Sequence, residues 1–245
     1  WADAFNDVKS LGRADSSTRT AEQTRIARFW ADGAGSYTPP GHWNQIAGQV
    51  AEAAGNTLAQ DARLFAELNI TLADAAIVAW NAKYNYNTWR PITAIRAAEA
   101  AGNDQVQADP AWSPLLITPP FPEYVSGHST FSGGAATVLD SFFGSSVRFS
   151  TTSLTLPGVT RAFASFDDAA AEAGRSRIYG GIHFEFANQD GLAAGRALAE
   201  YVLDTFSTAS DTRPPQIRLT TPAVEATTST NFTVQGQVLD NLSGV

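Results

Sequence analysis

Apolar residues recur at three- and four-residue spacing along most of the first 206 positions, so the chain reads as a succession of amphipathic helices. Residues 1–19 are mixed and polar, with Gly12 and a Ser-Ser-Thr cluster, and read as an irregular lead-in. Thr20 can cap a helix whose stripe is Ile26, Phe29 and Trp30, ended by the Gly and Pro residues of 33–41. Helices are expected over 42–54 and 56–68, the second capped by Asn56 and buried through Leu58, Leu64, Phe65 and Leu68. Thr71 and Asp74 have the spacing of a capping pair opening an Ala-rich helix that carries Trp80 and Lys83. Pro91 should bend or restart that helix near 87–90, because it lacks a backbone donor.

Helix is expected again over 92–101 up to Gly102, followed by an extended, proline-stiffened path through 109–122. A helix over 129–143 follows, then a loop or short hairpin at 150–157. Ser165 opens a helix through Ala173 that Gly174 is expected to end; Gly180 and Gly181 make the next stretch non-helical, and a last long helix spans 184–206. After Asp211 the pattern changes. Pro214 and Pro215 read as a linker, and 216–221 and 231–238 alternate like strands. The expected architecture is an all-α helical bundle over 1–210, then a linker and the opening strands of an incomplete immunoglobulin-like β module over 211–245. A sandwich of that kind needs about 100 residues, so the polypeptide is expected to continue past Val245.

With 245 residues, 44% hydrophobic and 16% charged, the chain can bury a sizeable core. No apolar run approaches the roughly 18 residues of a membrane span. The net charge of −8 disfavours a nucleic-acid partner, for which a basic face would be needed. There is no cysteine, hence no disulfide and no thiol chemistry. The start at Trp1 suggests a processed form. Together with the β segment, these features lead us to expect a bacterial protein that is secreted, periplasmic or on the cell surface. Oligomeric state is not legible.

Against this acidic background three stretches gather cations and imidazoles. Phe121-Pro-Glu-Tyr-Val-Ser-Gly-His128 places a hydroxyl (Ser126), an approachable backbone N–H (Gly127) and an imidazole (His128) at a helix start, where free N–H groups favour an anion. Lys83-Tyr-Asn-Tyr-Asn-Thr-Trp-Arg90 and Ser176-Arg177-Ile-Tyr-Gly-Gly-Ile-His183 add three permanent cations and a second imidazole. The guanidinium groups of Arg90 and Arg177 match the oxygens of a tetrahedral or trigonal-bipyramidal oxyanion, and Lys83 adds a compact charge. Phosphate and vanadate fit equally. The remaining histidine, His42, reads as a surface or satisfied core residue.

Taken in order, Lys-x6-Arg-Pro, Ser-Gly-His and Ser-Arg-x5-His resemble the vanadium-dependent haloperoxidase and type 2 phosphatidic acid phosphatase superfamily, over about residues 20–206. Trp80, three before Lys83, and Phe121, five before Ser126, are similar to the vanadium chloroperoxidase branch, although Val125 stands where family members carry Pro. The resemblance implies a vanadate cofactor held by Lys83, Arg90, Ser126, Gly127, Arg177 and His183, with His183 the axial residue bonded to vanadium. It makes His128 the acid–base, Lys83 catalytic, Trp80 and Phe121 the halide walls, and Asp32 the acidic partner of a motif arginine. The implied activity is oxidation of halide by hydrogen peroxide. The alternative is a soluble acid phosphatase without vanadium, acting on a phosphate ester with His183 as nucleophile and His128 as acid–base.

Overall fold

In the computed structural model the residues described are 1–208, 216–221 and 235–239. Among them the chain is mostly helical: α1 (Ala2–Leu11), α2 (Ala21–Phe29), α3 (Thr38–Ala54), α4 (Leu58–Tyr86), α5 (Pro91–Arg96), a 3-10 turn (Ala98–Ala101), α6 (Gly127–Phe143), α7 (Phe166–Tyr179) and α8 (Glu185–Thr208). The antiparallel hairpin of β1 (Phe149–Thr152) and β2 (Thr160–Phe163) pairs Phe149 with Phe163. A second antiparallel pair, β3 (Gln216–Thr221) and β4 (Gln235–Leu239), sets Ile217 opposite Val238. The remainder of the expected immunoglobulin-like module lies outside the described residues. No described helix is long and apolar enough to cross a membrane.

The centre is α6, buried along most of its length from Gly127 to Leu139 and packed by α3, α4, α7 and α8. Such all-round burial marks a core helix. Its apolar residues join Trp30, Trp43, Leu64, Leu68 and Phe166 in the larger core cluster. Small residues let α8 come close: a Cβ at Gly195 would lie 2.1 Å from the Thr130 carbonyl oxygen, and one at Gly133 2.4 Å from that of Leu192.

Four expectations are corrected. Residues 1–19 are not an irregular lead-in, because α1 buries Phe5 and Val8 against Ile95, Trp112, Ile178 and Phe184; two apolar residues in a polar stretch are too few to show periodicity. Pro39 and Pro40 do not precede α3 but open it, as proline can in a first turn, where the missing N–H is not needed. The helices expected over 56–68 and from Thr71 are one, capped by Thr57; nothing between 58 and 86 breaks the stripe of Leu64, Leu68, Leu72, Ala75 and Ala79, and Thr71 is buried in mid-helix. Gly174 does not stop α7. It lies within the helix, where a Cβ would meet Asn188 Oδ1 at 2.0 Å, so the glycine serves packing.

Gly195→Ala should therefore destabilise the fold by about 1–3 kcal/mol, because the clash is with backbone and outweighs the gain in helix propensity of about 1 kcal/mol. Gly48→Ala, whose nearest new contact is Phe65 at 3.9 Å, should be neutral or stabilising. Urea unfolding of the two variants beside wild type measures both.

Candidate anion-binding active site

Helix ends from distant parts of the sequence deliver the predicted residues to one place. Lys83 is on the last turn of α4, Arg90 caps α5 and Arg177 is on the last turn of α7. Ser126 caps α6, Gly127 and His128 are its first residues, and His183 lies in the connection 180–184 before α8. The extended segment before α6 is pinned on both sides. Glu123 N–H donates to the Thr88 carbonyl (3.2 Å), Tyr124 N–H to Thr88 Oγ1 (3.0 Å), and Ser126 N–H to the Ala187 carbonyl (3.0 Å). The Tyr124–Val125 peptide bond is cis.

All three cations are buried, Lys83 completely and Arg177 and Arg90 to 1% and 6% exposure. Lys83 Nζ donates to the carbonyls of Pro122 (3.2 Å), Glu123 (2.9 Å) and Val125 (2.5 Å). Burial, then the charge of Arg90, pushes its ammonium down to about 7. Three acceptors around one nitrogen favour the charged form, since a neutral amine has only two protons to give. Arg90 donates Nε–H to the Phe121 carbonyl (2.8 Å) and Nη1–H to that of Ile182 (2.7 Å), while its buried Nη2 has no partner. Arg177 donates to Ser176 Oγ (3.1 Å) and to the carbonyls of Ala31 (3.4 Å) and Ala27 (3.3 Å). Burial pushes both guanidinium groups down to about 10, leaving them charged at neutral pH.

Each imidazole meets one guanidinium through Nε2: His183 meets Arg90 Nη1 at 3.1 Å and His128 meets Arg177 Nη1 at 2.9 Å. A guanidinium N–H can only donate, so each Nε2 presents its lone pair and each ring carries its proton on Nδ1. The two Nδ1 environments differ. His183 Nδ1 is 2.8 Å from Glu123 Oε1, whereas His128 interacts with the backbone carbonyls of Ala31 and Trp30. Burial first, then the neighbouring cations, holds both rings well below the usual histidine range. His183 feels Arg90, Lys83, Arg177 and His128 in that order, which ties the three sequence stretches to one electrostatic site.

Trp80 and Phe121, both partly exposed, form an aromatic wall with ring centroids 5.1 Å apart. Lys83 Nζ lies 5.3 Å from the Phe121 centroid and 5.8 Å from that of Trp80, and Arg90 Cζ lies 5.0 Å from Phe121. The wall also explains Gly127, because a Cβ there would sit 3.2 Å from the Trp80 ring. Asp32 differs from the expectation: its carboxylate hydrogen-bonds His42 Nδ1 at 2.9 Å instead of a motif arginine, and reaches Arg177 only through its charge. His42 is the satisfied core histidine.

Sequence reasoning assigned no role to Glu123, Ser129 or Asn188. Glu123 is fully buried, and its Oε1 also accepts the Phe184 N–H at 2.9 Å. Burial pushes its carboxyl up to about 7. Ser129 Oγ lies 2.8 Å from both Ser126 Oγ and Asn188 Oδ1. Asn188 Nδ2 donates to Glu185 Oε1 (2.9 Å), so Asn188 Oδ1 accepts the Ser129 proton, and the Ser126 hydroxyl keeps its own for Ser129 or a ligand. Glu123 stood inside the quoted motif, but only the fold brings it to His183.

The residues fit an oxyanion. Among the described residues Arg90 Nη2 is buried without a partner, no acceptor meets the Gly127 and His128 N–H groups at the start of α6, and His183 Nε2 lies 3.1 Å from Arg90 Nη1. Donors of this kind left buried without acceptors cost stability unless an anion meets them. That donor set suits phosphate or vanadate, and His183 Nε2 could bond a vanadium or phosphorus centre.

Residues 63–211 match the family model described as the VCPO second helical-bundle domain. The vanadium chloroperoxidase of Curvularia inaequalis is 31% identical over 157 residues, covering 54% of this chain and 25% of that protein. Among solved structures, the first bacterial vanadium-dependent iodoperoxidase is 36% identical, with a TM-score of 0.71 over 83% of this chain and 48% of that one. A holo-type bacterial vanadium-dependent chloroperoxidase shares the fold at 18% identity and a TM-score of 0.60, with 82% and 46% coverage. The chain thus spans about half the length of its solved relatives and a quarter of the curated one. It belongs to the family of the VCPO second helical-bundle domain, in the vanadium haloperoxidase and type 2 phosphatidic acid phosphatase superfamily.

Proposed function

We propose that this chain carries the vanadate site of a haloperoxidase that oxidises halide with hydrogen peroxide. The reading rests above all on one observation: two imidazoles, each meeting a different buried guanidinium through Nε2, beside a buried guanidinium nitrogen that has no acceptor among the described residues. In the overall reaction halide loses two electrons to peroxide, and H2O2, X⁻ and H⁺ become HOX and water.

In this reading Arg90, Arg177, Ser126, the Gly127 N–H and His183 hold the vanadate. Vanadate bound there supplies a Lewis-acid centre that activates peroxide without changing oxidation state. Lys83 adds its charge, and to donate to an oxygen of the ligand it must give up one of its three carbonyl partners. Once Arg177 Nη1 turns from Nε2 to the bound anion, the unprotonated Nε2 makes His128 competent to take a proton from peroxide. The negative charge of the anion offsets Arg177 and Lys83, so the imidazolium formed is better tolerated than in the empty pocket. Trp80 and Phe121 offer a weakly hydrated halide an apolar wall beside a cation.

The same His183 geometry would serve in-line attack on a phosphate ester, with His128 protonating the leaving alcohol. Reconstitution with orthovanadate, followed by peroxide-dependent halogenation of monochlorodimedone and separately by p-nitrophenyl phosphate hydrolysis without vanadate, decides between the two. Halogenation is the expected outcome; hydrolysis alone would replace the reading. Trp80→Ala and Phe121→Ala should lower halide turnover about tenfold or more while vanadate affinity changes little, since a misplaced reactant costs rate rather than cofactor binding.

Anion affinity should also depend on pH in a defined direction. Lys83, pushed down to about 7, is ammonium below that pH and loses its charge above it. Tungstate, which stays a dianion across the range, should bind best below about pH 7 and more weakly as pH rises towards 9. The Lys83→Met variant should bind it weakly at every pH, and calorimetric titration of both proteins checks the difference.

A further inference from the structure

The mechanism above leaves unexplained a carboxylate buried beside a bonding imidazole. Glu123 has no solvent exposure, its Oε2 has no hydrogen-bond partner, and its Oε1 meets both the Phe184 N–H (2.9 Å) and His183 Nδ1 (2.8 Å). Burying a charge with one oxygen unsatisfied is costly, and a neutral side chain would fill the space more cheaply if filling were its only task. Its main chain is already anchored, by Thr88 on the N–H and by Lys83 on the carbonyl, so the side chain is not needed to hold the segment.

We propose that Glu123 is the positioning residue of His183: its carboxylate holds the imidazole in the tautomer with the proton on Nδ1, aims the Nε2 lone pair at the anion, and strengthens the bond Nε2 makes to the anion's central atom. Two neighbours enforce one arrangement. Arg90 Nη1 can only donate, so it requires a lone pair on Nε2, while Glu123 Oε1, which already accepts the Phe184 N–H, stays an acceptor even when a proton rests on Oε2, so it requires the proton on Nδ1. Without Glu123 only Arg90 would remain to choose the tautomer, and a guanidinium beside Nε2 draws electron density away from it. A carboxylate behind the ring restores that density, as outer partners do for histidines that ligate metals.

This inference rests on the oxyanion reading of the site, and its test separates the two. Vanadate can bond to Nε2, whereas sulfate binds through charge and hydrogen bonds alone. Glu123→Gln and Glu123→Leu should each weaken vanadate binding by about 10- to 100-fold, Leu more than Gln because the Gln oxygen can still accept the Nδ1 proton. Sulfate should bind both variants at least as tightly as wild type, because a negative charge has left a cationic pocket. Retained sulfate affinity also shows that each variant is folded. In Glu123→Leu the Nδ1 proton loses its buried acceptor while Arg90 Nη1 keeps the Ile182 carbonyl, so the ¹⁵N ring signals of His183 in the ligand-free protein should report Nδ1–H in wild type and a shift towards Nε2–H in the Leu variant.

Parallel loss of both anions would mean that Glu123 is a structural prop, and parallel gain that it is only a charge; either result overturns the inference. An unchanged tautomer in Glu123→Leu overturns it as well. Wild-type protein that binds neither anion would defeat the oxyanion reading itself, and the tautomer measurement would still judge Glu123.

Discussion

The constraint on which the rest depends is the burial of three cations around a space with too few negative groups. Lys83, Arg90 and Arg177 are withdrawn from water, and the buried carboxylates of Glu123 and Asp32 are each engaged with a histidine. Backbone carbonyls do much of the remaining work, receiving all three Lys83 bonds and most of those from the arginines. Dipoles reduce the cost of buried charge but do not cancel it. A bound oxyanion would supply the missing charge, and a ligand at a hundred times its dissociation constant adds about 2.7 kcal/mol to stability. Part of such an anion's affinity would thus be stored in the folded protein.

Storing it requires a scaffold that does not yield. The site gathers the last turns of α4 and α7, the N-terminal ends of α5 and α6 and the 180–184 connection, so helix ends aim every group but His183. The contact between α6 and α8 is close enough that a single added methyl would strike backbone, and Ser126 is tied to Ala187 at the same interface. Helix termini are also electrostatically apt, since the N–H groups at the start of α6 lack intrahelical acceptors and contribute positive potential. Packing and anion chemistry meet at Gly127, where a Cβ would press on the ring of Trp80 at 3.2 Å.

Much of this was legible in the sequence because it is local. Thr20 and Ser165 cap helices as their types suggest, Asn87 and Pro91 break the chain between α4 and α5, and the ordered cationic motifs name the residues that converge, although α6 starts at Gly127 rather than at 129. What was not legible depends on distant partners. Gly174 looks like a stop signal until Asn188 is seen against it, and no spacing shows that Asp32, whose charge acts on Arg177, hydrogen-bonds His42 of α3. Glu123 is the sharpest case. Its role depends on His183, sixty positions later, and no spacing rule connects an extended segment before α6 with a loop before α8.

The two histidines show how one fold makes different tools from the same side chain. Both rings turn Nε2 to a guanidinium and are held neutral, so neither burial nor the adjacent cation distinguishes them. The atom behind each ring does. A carboxylate behind His183 gives its lone pair more electron density, which favours a lasting bond to an electrophilic centre. Neutral carbonyls behind His128 orient the ring with less electrostatic support for a positive charge, so a proton it accepts is easily returned. A residue that bonds an anion's central atom would need the first property and a proton carrier the second, and the two histidines differ in that sense.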